Sequence, residues 1–153
     1  MQPNTPAAAA AQGDTSPPQP FFMLPVRVYY EDTDAAGVVY YANYLRFCER
    51  ARTEWLRALG FEQQAMMSST GTAFVVRSVH ADYLVPARLD DALEVVTRIG
   101  TLRRASLLFN QEIRRQGQLL FTAQVLVACI DTHRQKPAPM PANLHALFER
   151  SFA

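Results

Sequence analysis

The stretch YYEDTDAAGVVYYANYLRFCERARTEWLRALGF, Tyr29 to Phe61, decides the fold. In its second half Tyr44, Cys48, Ala51, Trp55 and Leu59 recur at steps of four, three, four and four. That spacing is the apolar stripe of an amphipathic helix, which must bury one face. Asn43 is placed to cap this helix and Gly60 to stop it. The first half sets Glu31, Asp32 and Asp34 ahead of the small-residue turn Ala35–Gly37. Acids in that position can cap a helix, bind a metal or do chemistry. Spacing alone favours the cap, because an acid before a helix is a common and unspecific signal.

Working outward, Phe22–Tyr30 reads as a strand with Val26, Val28 and Tyr30 on one face. A short helix over Glu62–Met67 runs into the loop SSTGT. After it the pattern turns extended, over Phe74–Tyr83, Ala92–Gly100, Ala105–Arg115 and Leu119–Ile130. Gly117 marks a hairpin turn between the last two of these. The final strand is apolar on both faces, which predicts a central strand or one covered on both sides. HRQKPAPMP reads as an irregular linker and ANLHALFERSF as a terminal helix. One long helix followed by four long strands is an α+β pattern. A curved antiparallel sheet wrapped around the helix buries the Trp55 stripe in one step.

The length of 153 residues suits one domain with one core. Residues 1–20 hold five of the ten prolines and no aromatic, the composition of a disordered tail. The domain is therefore expected over 21–153. A net charge of +1 argues against a nucleic-acid binder. Cys48 and Cys129 lie in apolar patterns and read as buried thiols of a reducing compartment. No apolar run has the length of a membrane span, and the N-terminus lacks the charged start of a signal peptide. A cytoplasmic protein is expected.

The motifs of metalloproteases, P-loop enzymes, dinucleotide binders and serine hydrolases are absent. His80, His133 and His145 show no ligand spacing; His80, near Asp82, reads as a catalytic group or a surface residue. Helical geometry beginning near Val39–Tyr41 would aim backbone amides at Asp34, a place where an oxyanion can be stabilised.

The opening stretch resembles the first segment of hotdog-fold acyl-CoA thioesterases of the 4-hydroxybenzoyl-CoA thioesterase type. It looks most like their YbgC branch, associated with the Tol-Pal envelope system. AFVVRSVHADYLVPARLDDALEV, RRASLLFNQEI and AQVLVACID continue the likeness, so that it runs from about Pro25 to Pro139. The resemblance implies a hotdog fold, a long central helix wrapped by a curved antiparallel sheet. It also implies assembly as a homodimer or homotetramer, with the active site at the subunit interface. Asp34 takes the place of the family's reactive carboxylate, as nucleophile or general base. Tyr41 stands where many members of the branch carry histidine, which leaves its backbone N–H to polarise the thioester carbonyl. Arg103, Arg104 and Ser106 match the stretch that meets the CoA phosphates; the other reading is a solvated hairpin edge. Arg77 and Arg88 are weaker candidates, and Asp32 takes a supporting role. The implied reaction hydrolyses an acyl-CoA with no cofactor, CoA being part of the substrate. Two alternatives are an acyl-carrier-protein hydrolase and a partner of envelope or phospholipid-synthesis enzymes with incidental hydrolysis. The expected location is the cytoplasm, peripheral to the inner membrane.

Overall fold

The computed structural model describes residues 20–151. The tail expected over 1–20 lies outside them except for Pro20. The chain begins with β1, Phe22–Arg27, whose alternate residues Phe22, Leu24 and Val26 face inward. A loop leads to the long helix α1, Tyr41–Ala58, and then to the short helix α2, Gln63–Thr70. Four long strands follow: β2 Thr72–Tyr83, β3 Ala92–Leu102, β4 Ser106–Arg115 and β5 Gln118–Asp131. A two-residue strand, β6 Lys136–Pro137, and the helix α3, Ala142–Arg150, complete the fold. The strands form one antiparallel sheet in the order β1-β3-β4-β5-β2, with β6 beside β5.

The expected stripe is the one that α1 buries: Tyr44, Phe47, Cys48, Ala51, Trp55 and Leu56 all lie in the core. The sheet supplies Val95, Leu107, Phe109, Ile113, Phe121, Val125 and Val127 from its inner face. Bulges curl it around the helix, between Val76 and Ser78 in β2 and between Ile99 and Thr101 in β3. Gly100 occupies the second bulge, where a Cβ would come within 2.6 Å of the Asn110 side chain. The β4–β5 turn has Gln116 and Gly117 both at positive φ (49° and 79°), which a two-residue type I′ turn requires.

Several boundaries differ from the sequence reading. β1 ends at Arg27, and Tyr30 is 83% exposed rather than inward, because Tyr30–Asp32 forms a single 3-10 turn. The helix α2 runs through Thr70, taking up part of the expected loop, and ends where Gly71 turns left-handed at φ 67°. β5 is central, as expected, between β4 and β2, although only its inner face is covered: Phe121, Ala123 and Val125 are buried, whereas Gln124 on the outer face is exposed. The linker contains β6, which pairs Pro137 with Ile130 after a tight turn at Gln135.

Candidate active site

The acid-bearing loop is a closed unit held at both ends. Val28 exchanges two backbone hydrogen bonds with the β2–β3 connection: its N–H donates to the Asp91 carbonyl, and its carbonyl accepts from Asp90 N–H. Asp32 then turns the chain, its carboxylate accepting from Tyr29 N–H at 2.8 Å. Thr33 bridges to Val39, and Val38 bridges to Arg88, so 33–39 forms a small hairpin with Asp34 near its tip. Asp34 N–H donates to the Val38 carbonyl, and Gly37 N–H to the Asp34 carbonyl. Gly37 sits at φ 78°, which glycine adopts without strain. One Asp34 oxygen, Oδ1, accepts from Ala36 N–H at 2.9 Å. The side chain is exposed, and among the described residues Oδ2 has no donor.

α1 starts three residues earlier than a cap at Asn43 implies. The residue before it is Tyr40, in an extended conformation (φ −59°, ψ 133°), and no side chain caps the helix. Asn43 instead lies inside the first turn, 8% exposed, and donates from Nδ2 to the Asp32 carbonyl at 2.9 Å. The same carbonyl accepts from Tyr40 N–H. Asp32 thus ties the loop to the helix start through its backbone and shapes the turn through its carboxylate. Among the described residues the amides of Tyr41 and Ala42 have no acceptor, so the positive end of the helix dipole opens on solvent.

Asp34 stands between two hollows. A groove of about 480 Å³ runs past Val38, Tyr40, Tyr41, Tyr83, Leu84 and Pro86. A smaller one of about 300 Å³ adjoins it, with Asp34 beside Glu31, Thr33 and Arg46. The groove rests on an aromatic cluster: Tyr83 packs edge-on against Tyr44 and Phe121 at 5.3 and 5.0 Å. Tyr83 Oη donates to the Tyr41 carbonyl at 2.8 Å, and Tyr44 Oη accepts from Ala87 N–H at 3.0 Å. Burial, then the neighbouring Tyr44 and Tyr41, push the Tyr83 phenol above its ordinary range. Hydrogen bonding to Tyr41 does the same for Tyr40. These phenols stay neutral at physiological pH and serve as walls and donors rather than as bases.

One ion pair fixes the far wall. Arg115 bonds Asp91 at 2.7 Å, and Arg88 N–H donates to the same carboxylate oxygen at 2.8 Å. Burial raises the Asp91 pKa, but the Arg88 amide and the Arg115 guanidinium outweigh it and hold it below the usual carboxylate range.

Asp34 and Tyr41 meet in the groove; Arg103, Arg104 and Ser106 do not reach it in the same chain. Arg103 and Arg104 lie in the β3–β4 turn and Ser106 opens β4, with Arg103 N–H donating to the Ser106 carbonyl at 2.8 Å. Both arginines are exposed, and Ser106 is half-buried. β3 begins at Ala92, next to the Asp90–Asp91 turn that holds Val28, so the β3–β4 turn lies at the other end of a strand roughly 33 Å long. His80 and Asp82 form an exposed pair at 3.7 Å in a hollow with Asn110, Glu112 and Gln124, residues of the sheet's outer face. Cys48 and Cys129 are buried free thiols, and burial pushes Cys48 up to about 12, which leaves it inert. Among the described residues no group of three or more His, Cys, Asp or Glu could hold a metal ion, and no helix is long and apolar enough to cross a membrane. Tyr83, Arg46 and the Asp91–Arg115 pair were missed in the sequence. Only Tyr83 left a signal, as the last inward residue of an alternating strand.

A curled antiparallel sheet around one long helix, with a carboxylate loop at the helix N-terminus, defines a hotdog-fold protein with an acid-bearing groove. The chain belongs to the thioesterase-like superfamily, matching it over residues 28–148. The acyl-CoA thioesterase YbgC of Haemophilus influenzae is 50% identical over 127 residues, which cover 83% of this chain and 93% of that protein. The acyl-CoA thioester hydrolase YbgC of Escherichia coli O6:H1 is 52% identical over 130 residues, covering 84% and 96%. Among solved structures, a 1,4-dihydroxy-2-naphthoyl-CoA thioesterase from Synechocystis superposes with a TM-score of 0.79 at 30% identity, over 84% of this chain and 95% of that one.

Proposed function

We propose that the protein hydrolyses acyl-CoA thioesters to the free acid and CoA, with Asp34 as the reactive carboxylate. The observation that carries this reading is an exposed acid sharing one groove with Tyr41, whose amide is uncapped, and the adjoining hollow with Ala42, the next uncapped residue. A thioester carbonyl placed on those amides is polarised, and the oxyanion of the tetrahedral intermediate gains their hydrogen bonds. Asp34 either removes the proton from an attacking water or attacks the carbonyl itself to form a mixed anhydride that water then opens. In both routes the C–S bond breaks and the thiolate of CoA leaves. Only water is needed besides the substrate. Oxygen-18 passing from solvent into Asp34 during a single turnover marks the nucleophilic route.

The distance of the β3–β4 turn from Asp34 supports a shared site. β2 is an edge strand with Val75, Val76 and Val79 exposed, a liability unless something pairs with it. Antiparallel pairing of β2 with its copy lays the partner's Thr72 end beside Tyr83. Ser106 is level with that same end, through Ala128 of β5, so the partner's Arg103 and Arg104 come to the Asp34 side and meet the CoA phosphates. Kinship with the YbgC proteins extends the proposal to a cytoplasmic homotetramer working for the Tol-Pal system at the inner membrane.

Asp34→Asn keeps the shape of the side chain and removes the base. Steady-state hydrolysis of an acyl-CoA panel should fall by about 10²–10⁴-fold, with the oligomer unchanged in sedimentation. Turnover equal to wild type would sink the mechanism.

A further inference from the structure

The groove beside Asp34 contains one hydrogen bond that the fold does not need. Tyr83, the last residue of β2, donates from Oη to the Tyr41 carbonyl at 2.8 Å. In an α-helix that carbonyl already receives the amide four residues further on. The carbonyls a helix leaves without partners are those of its last turn, and Tyr41 stands in the first. Tyr83 is also 47% exposed, so water could satisfy its hydroxyl. Neither end of the bond is an orphan.

The ring has its own anchorage. It packs edge-on against Tyr44 and Phe121, and Phe121 is its partner across the β2–β5 ladder. The Tyr41 ring meets it edge-on at 6.5 Å. Tyr83 would therefore stay in place without its hydroxyl, and the bond to Tyr41 has another effect.

That effect follows from the chemistry of the peptide unit. The Tyr41 carbonyl and the Ala42 N–H belong to one planar, conjugated amide. A donor on the oxygen draws electron density from the nitrogen and makes the N–H a stronger donor in turn. Among the described residues the Ala42 N–H has no acceptor, and Ala42 lines the hollow that adjoins Asp34.

We propose that Tyr83 is a positioning residue: its hydroxyl, acting through the Tyr41–Ala42 peptide, orients and strengthens the Ala42 N–H as a donor to the thioester oxyanion. This role rests on the hydrolysis proposed above. It places the donor on β2, the edge strand whose pairing completes the site, so one bond ties that strand end to the helix start.

Tyr83→Phe removes the hydroxyl and keeps the ring. Its kcat should fall by about three- to tenfold, with KM and sedimenting mass close to wild type. A hydrolysis-proof acyl-CoA analogue, with methylene in place of sulfur and carbon-13 at the carbonyl, reads the polarisation directly. Its infrared stretch should lie at lower frequency on wild type than in water, and part of that displacement should vanish in Tyr83→Phe. Replacing Ala42 by lactic acid turns the amide into an ester and removes the N–H. In that background Tyr83→Phe should cost nothing further. A full second loss would mean that the hydroxyl touches the substrate itself, and would overturn the proposal. So would an unchanged stretch or an unchanged kcat in Tyr83→Phe, or a loss confined to KM. Each of these outcomes leaves hydrolysis at Asp34 standing. If the carbonyl is not displaced on wild type, the amide site and this role of Tyr83 fall together. If Asp34→Asn hydrolyses like wild type with the displacement intact, only the role of Asp34 falls.

Discussion

A proline at position 41 would remove one hydrogen-bond donor and disturb little else. Tyr41 is the first residue of α1, where proline suits the helix because that N–H has no intrahelical partner. Tyr40 already has the extended ψ of 133° that a residue before proline prefers. Tyr41→Pro therefore tests the amide, and Tyr41→Phe tests the phenol. If the oxyanion sits on the helix amides, Tyr41→Phe keeps most of the activity, whereas Tyr41→Pro lowers kcat by about 10²–10³-fold. Circular dichroism and thermal melts must show the proline variant folded for the comparison to count. Equal loss in both variants would assign the role to the side chain.

The site is held at element scale by contacts between distant segments, and the clearest is Asp91 with Arg115. Its pKa is depressed in the fold, so the contribution of Asp91 is complete above its unfolded value of about 3.9 and is lost as pH falls through the lower folded value. Melting temperature should therefore fall more steeply below about pH 4 in wild type than in Asp91→Asn. At neutral pH the variant should be less stable by about 1 kcal/mol or less, because both side chains remain partly in water. Parallel acid profiles would remove Asp91 from the account. This contact also marks the limit of what the chain alone disclosed. The stripe of α1, the alternation in β4 and the stop at Gly60 were legible because each is a local period or a local backbone preference. The early helix start at Tyr41 was legible only as a condition beside the Asn43 cap, since it depends on the Asp32 carbonyl receiving both Tyr40 N–H and Asn43 Nδ2. The pairings of Asp91 with Arg115 and of Arg52 with Gln111 were not legible, because no pattern links residues so far apart in sequence. Asp34 stood out only through likeness to a family, because a loop acid near a helix is chemically ambiguous until the open amides beside it are seen.

The proposed site is complete only in an assembly, and that makes a prediction at the scale of the whole molecule. Asp34 and the Arg103–Arg104 turn lie at opposite ends of one sheet, so a single chain offers the carboxylate without the cations. If two β2 edges pair, each site takes its carboxylate from one protomer and its phosphate-binding turn from the other. Asp34→Asn and Arg103→Ala/Arg104→Ala then damage different halves of each site. Either variant alone should be impaired, the first in kcat and the second mainly in KM. Unfolding and refolding the two together should form mixed dimers in which one site has both intact halves, and hydrolysis at low acyl-CoA concentration should reappear. A site built from one chain predicts no recovery, since every protomer carries a defect. The edge itself supplies a control: Val79→Lys sets a charge on the exposed strand and should shift the sedimenting mass toward the monomer. Activity should fall with that mass, although Asp34, Tyr41 and both arginines are untouched. A monomeric Val79→Lys that hydrolyses acyl-CoA at the wild-type rate would return the whole site to a single chain.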